Sequence, residues 1–156
     1  MARSAAGIII SWFFTLLAII VLVLLANFVA YALPNPIVLD LVAFLNGNVW
    51  LLIISSIFFY LGALFYKYGF PVNILTPPFD GVGSVFIVAF LINLVEVTDA
   101  YSGIGVGYVL KSYSFIIYIV VFILVVLLGY VAVAQRQQRV KEHKMRKERH
   151  IDNRHH

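Results

Sequence analysis

Four long apolar runs, each of a length that can carry a helix across a bilayer, constrain this chain more than any other feature of it. They extend from about Gly7 to Leu33, Val49 to Tyr66, Val82 to Val97 and Tyr113 to Val133, and a spanning helix needs about 20 predominantly apolar residues. Hydrocarbon offers the backbone no water, so such a segment must satisfy its own N–H and C=O groups, which a helix does within itself. Composition agrees: 63% of the 156 residues are hydrophobic and 12% charged, where a soluble domain has about 45–50% and about 25%. The expected fold is an all-α integral membrane protein with four transmembrane helices, a short interfacial segment between the first two and a basic C-terminal helical tail. Residues 1–134 are read as one four-helix transmembrane domain and 135–156 as a basic cytoplasmic tail.

The first run is longer than the roughly 7–15-residue apolar core of a cleavable signal peptide, so a retained helix is expected. Leu33-Pro34-Asn35-Pro36 ends it, because proline lacks a backbone donor and pushes the preceding residue toward extended geometry. Ile37 to Leu45, interrupted by Asp40, is too short to span and reads as an interfacial or re-entrant turn of helix, broken at Asn46-Gly47-Asn48. Trp50 on one side and Tyr60, Tyr66 and Tyr68 on the other bracket the second span, as amphipathic aromatics do at headgroup depth. Gly69 to Gly83, with three prolines and three glycines, is expected to be the main irregular loop, with Asp80 capping the third helix. A second glycine-rich loop, Asp99 to Tyr108, leads through Lys111 into the fourth span.

Orientation follows from the basic residues near the span ends, which accumulate on the cytoplasmic side. Four spans put both termini on one side. Placing them inside puts Arg3, Lys67 and the eight Lys and Arg residues of the tail in the cytoplasm and leaves Lys111 outside with Asp40 and Asp99. The expected location is therefore a cell membrane, crossed several times, with both termini cytoplasmic.

Cysteine is absent, which excludes disulfides, thiolate metal sites, iron–sulfur clusters and a cysteine nucleophile. All four histidines, His143, His150, His155 and His156, lie in the tail, so no imidazole is offered within the spans to haem, copper or zinc. No metal site and no cofactor is expected. The Gly103-Ile104-Gly105-Val106-Gly107 run lacks the preceding strand and the lysine-serine ending of a phosphate-cradling loop, and reads as a loop or close-packing segment.

The candidate intramembrane polar site is Asn93, Glu96 and Asp99, which recur at i, i+3 and i+6 on one face of the third helix. An ionisable side chain within a span costs about 2.5–3.5 kcal/mol on insertion scales, so it faces a protein interior, a water path or the interface. Glu96 could bind a cation, relay a proton, or pair with Lys67 or another subunit's arginine. The tail residues Arg136, Arg139, Lys141, Lys144, Arg146, Lys147 and Arg149 follow directly on a span, where each basic group gains up to about 1 kcal/mol near an anionic leaflet. They are candidates for contact with anionic lipid or a partner. Nucleic acid is not an expected partner, since no aromatic interleaves the cluster. Ser55, Ser56, Gly62 and Ala63 offer a small-residue patch for close helix packing.

These residues contain no nucleophile, base and orienting group at catalytic spacing, and no enzymatic activity is expected. The expected function is a non-catalytic accessory or structural subunit of a larger membrane complex, with membrane lipids and other membrane subunits as partners. The alternative is a homo-oligomeric cation or proton channel that uses Glu96 and its polar neighbours.

Overall fold

The computed structural model describes residues 5–68 and 71–152, with side chains described for these apart from residues 5, 140, 141, 143, 144 and 146–152. It comprises α1 (Ala5–Ala32), α2 (Pro36–Lys67), α3 (Thr76–Ser102), the short α4 (Val106–Ser112) and α5 (Ser114–Asp152), with a 3₁₀ turn, Val72–Leu75, ahead of α3. Among the described residues there is no strand, and four helices are long and apolar enough to cross a membrane.

Three boundaries differ from the sequence expectation, one of them the second glycine-rich loop, which shrinks from residues 99–108 to 103–105 because α3 runs on to Ser102 and α4 begins at Val106. The segment from Ile37 to Leu45 is not a separate interfacial piece: it forms the first turns of α2, which continues unbroken through Asn46-Gly47-Asn48. Asn35 starts this helix as N-cap, its side-chain oxygen accepting from the Ile37 N–H at 2.9 Å, with Pro36 in the first turn where its missing donor costs nothing. With 32 residues α2 is about 48 Å long, against a hydrocarbon thickness of about 30 Å. The third boundary is the start of α3 at Thr76, so that Pro77, Pro78, Asp80, Gly81 and Gly83 are helical rather than loop. Both prolines occupy the first turn, where no intrahelical bond is lost. Asp80 is consequently not the cap; Leu75 holds that position and offers no side-chain hydrogen bond.

The helices form an open row rather than a closed bundle. α1 packs on α2, α2 on α3, and α3 on α5, while α1 touches neither α3 nor α5. The central α2–α3 pair is antiparallel and follows a seam spaced alternately by three and four residues. On α2 the seam is Phe44, Asn48, Leu51, Ser55, Phe58, Gly62 and Phe65; on α3 it is Thr76, Phe79, Gly83, Phe86, Phe90 and Asn93. That 3.5-residue repeat is the one that keeps two helices in register along a shared stripe. Rings pair across it, Phe44 with Phe90 at 5.2 Å, Phe58 with Phe86 at 5.8 Å and Phe65 with Phe79 at 5.0 Å between centroids. Where no ring stands the backbones come close. Ser55, fully buried, donates to the Gly83 carbonyl at 2.9 Å, and Thr76 donates to the Gly62 carbonyl at 3.2 Å.

Ser55 and Gly62 thus pack against α3 as the small-residue patch anticipates, whereas Ala63 is exposed. α5 closes on α3 the same way. A side chain at Gly81 would strike Phe122 and Val126, and one at Gly129 would strike Pro77. Lipid gives no hydrophobic reason for helices to associate, so close backbone approach of this kind carries the packing.

Candidate functional site

The polar side chains gather at the two ends of the row. At the end that carries the α3–α5 connection, Asn27 of α1 and Asn46 of α2 exchange reciprocal amide hydrogen bonds of 3.0 and 3.1 Å. Two residues along α2, Asn48 accepts from Asn93 Nδ2 at 3.0 Å, and Lys111 Nζ of α4 donates to Asn93 Oδ1 at 2.8 Å and to Glu96 Oε2 at 2.9 Å. Amides suit this position because each offers donor and acceptor together, so a chain of them can close on itself. Tyr101 donates to the Asp40 carboxylate and ties the last turn of α3 to the first turns of α2.

Asn93 and Glu96 are therefore brought together, as their spacing implies, and the partner of Glu96 is Lys111, not Lys67, which lies at the opposite end. Both members of this ion pair are about half exposed, 48% for Glu96 and 49% for Lys111, so neither is a desolvated charge. Asp99 faces α4 as well but acts separately. Its carboxylate accepts from the Gly105 N–H at 3.1 Å, the Gly107 N–H at 2.9 Å and Ser102 Oγ at 3.0 Å. Gly103 and Gly105 turn the chain at φ of 67° and 83°, values that favour glycine. Gly107 lets α4 lie against α3, since a Cβ there would come within 2.7 Å of Glu96 Cα. The glycine run is thus a turn clamped by Asp99 followed by a close contact.

At the other end lies a cleft of about 960 Å³ between α1 and α5, floored by α2 and α3. Its walls are mostly apolar or aromatic, interspersed with serine and threonine hydroxyls, and Trp12 stacks on Tyr60 at 5.0 Å. Lys67 and Arg136 lie at its mouth, and Asp80 lines its interior. Arg136 stacks over the Tyr66 ring, 4.3 Å from its centroid, and donates to the Tyr66 carbonyl, one of the last carbonyls of α2. Asp80 reaches toward Gly62, where any Cβ would collide with its carboxylate.

Nothing in the sequence points directly to this cleft, because there Asp80 reads as a cap outside the third span and Lys67 as a topology marker or a partner for Glu96. A usable signal was present in Thr76-Pro77-Pro78, a run that starts helices as readily as it ends them. Of the tail candidates, Arg136 is engaged as described and Arg139 is exposed on α5. Lys141, Lys144, Arg146, Lys147 and Arg149 belong to α5 by backbone, but their side chains lie outside the described residues. Among the described residues no group of three or more His, Cys, Asp and Glu side chains is arranged to hold a metal ion.

Four apolar helices in one packed row define the class: a multi-pass, all-helical membrane protein. Compared with protein-family models, with curated proteins and with solved structures, the chain matches none.

Proposed function

We propose that this chain is a non-catalytic accessory or structural subunit of a larger membrane protein complex. The observation that supports the reading is the use made of its polar groups. Asn27, Asn46, Asn48, Asn93, Glu96 and Lys111 bind one another, and Asp99 binds the chain's own loop, so this polarity holds the row together. A chain stabilised in this way serves as a scaffold, and it turns outward the apolar faces of α1 and α5. Phe13, Phe14, Leu24 and Phe28 on α1 and Phe115 and Leu128 on α5 are each exposed, a surface that other apolar helices or lipid tails cover. Both termini in the cytoplasm, with the basic stretch of α5 beyond Arg136 against an anionic leaflet, complete the proposal.

The channel reading has less support. An ion path needs coordinating groups free to release and rebind, and the Glu96 carboxylate is neutralised by Lys111 of its own chain. The discriminating experiment is mild detergent extraction from the native membrane followed by native mass spectrometry. Stoichiometric co-purification with other polypeptides is expected. A stable homo-oligomer free of other chains refutes the subunit reading, and a cation flux in liposomes that Glu96→Gln abolishes would establish the alternative.

A further inference from the structure

The groups that line the cleft divide into those already engaged and those still open. The hydroxyls of Thr15, Ser55, Ser56, Thr76 and Ser84 all donate to main-chain carbonyls, of Ser11, Gly83, Ile53, Gly62 and Asp80 respectively. Besides the Ser11, Tyr60 and Tyr66 hydroxyls, four lining groups keep chemistry to offer. Trp12 Nε1 is a buried donor without a partner among the described residues. The Asp80 carboxylate is an acceptor directed along Gly62, with no hydrogen bond or ion pair to another described side chain. The Lys67 ammonium ends α2 at the mouth. The Arg136 guanidinium has five N–H donors, one of which serves the Tyr66 carbonyl, and its stacking on Tyr66 holds it in place before any ligand arrives.

These four are arranged by depth. The two cations close the ends of α2 and of the apolar part of α5, where a headgroup phosphate would lie. Asp80 is in the second turn of α3, and Trp12 stacks on Tyr60, seven residues before the end of α2. Ile8 lies a turn nearer the mouth than Trp12, and beyond these groups the lining includes Ile19, Leu52, Ile87 and Val125. Because α1 and α5 do not touch, the slot between them opens sideways, toward where lipid surrounds the row. The volume, about 960 Å³, lies near the top of the roughly 300–1,000 Å³ typical of small-molecule pockets, room for a headgroup and part of an acyl chain.

We infer that this cleft is a binding site for one anionic phospholipid with a hydroxyl-bearing headgroup. Its phosphate sits between Lys67 and Arg136, a headgroup hydroxyl donates to Asp80, an ester carbonyl accepts from Trp12 Nε1, and an acyl chain fills the slot between α1 and α5. Charge complementarity selects this occupant. Two cations at the mouth against one carboxylate inside leave a net positive site, and a carboxylate within a largely apolar wall is tolerated when a donor reaches it. The inference is independent of the subunit reading and requires only that the four helices span a bilayer.

The test is native mass spectrometry of the full chain in mild detergent, with added dioleoyl phosphatidylglycerol or dioleoyl phosphatidylcholine, lipids that share acyl chains and differ in headgroup. A one-to-one adduct favouring phosphatidylglycerol by about tenfold is expected. Lys67→Gln with Arg136→Gln should remove the preference, whereas Arg139→Gln with Lys141→Gln, on the stretch beyond the cleft, should leave it unchanged. Ala132→Phe, which fills the slot without altering charge, should remove the adduct from a chain that remains monodisperse and helical by circular dichroism. Equal retention of the two lipids overturns the inference, as does a preference that follows the Arg139 and Lys141 pair instead. Photo-crosslinks from position 132 in the native membrane that run to another polypeptide would assign the cleft to a partner helix and overturn it equally.

Discussion

Gly129→Ala tests whether α3 and α5 are held as closely as the geometry implies. The added Cβ would lie 2.7 Å from Pro77 Cβ and 3.0 Å from its Cγ, where carbon atoms at optimal contact are about 3.5–4.0 Å apart. The obstacle cannot swing aside, because it is a pyrrolidine ring locked into the backbone at the first turn of α3. The helices must therefore separate locally by about 1 Å, and overpacking of this kind costs about 1–3 kcal/mol. Alanine is also the better helix former by up to about 1 kcal/mol, a gain that obscures the cost if the variant is measured alone. Gly47→Ala supplies the reference: it lies in the interior of α2 with nothing within 4 Å of the new Cβ. Subtracting the two removes the propensity term and leaves the steric one, a factor of about 5 to 150 in the unfolding equilibrium. The assay is reversible unfolding in mild detergent by titration with a denaturing one, followed by the fluorescence of the two tryptophans. Equal shifts for the two variants would refute the close α3–α5 approach.

Three further outcomes are expected. In a double-mutant cycle on Asn48→Ala and Asn93→Ala, the amide pair at 3.0 Å should show a coupling of about 0.6–1.7 kcal/mol; strict additivity would mean the bond does not hold the seam. Asp99→Ala should accelerate hydrogen exchange at the Gly105 and Gly107 amides while leaving the α2–α3 seam protected, because those two donors lose their acceptor; a seam that opens in parallel would show that the clamp stabilises the whole row. Since the chain has no cysteine, Ile104→Cys and Gln138→Cys can be labelled singly with an impermeant maleimide in intact cells. Position 104 should react from outside and position 138 only after permeabilisation, and the reverse pattern would invert the orientation derived from the basic residues.

Four apolar runs were enough, by themselves, to determine the class of this protein, because a backbone in hydrocarbon has one local way to satisfy its polar groups and any run long enough to cross must take it. The grouping of Asn93 with Glu96 was equally legible, since helical spacing alone puts them on one face. The α2–α3 seam was also written in the chain, as Phe44 to Phe65 and Thr76 to Asn93 in alternating steps of three and four, although phenylalanines among so many apolar neighbours do not stand out as a stripe. Helix boundaries were less legible. Proline and glycine read as breakers in water, yet Pro77 and Pro78 fit a first turn, and Gly81 and Gly83 serve approach to a neighbour that only the packed structure supplies. Partners separated along the chain were decided by tertiary structure alone: Glu96 with Lys111 rather than Lys67, Asp99 with the backbone of its own loop, and Asp80 in a cleft instead of at a cap. Spacing along one helix states which side chains share a face, whereas the order in which helices lie side by side decides what that face meets.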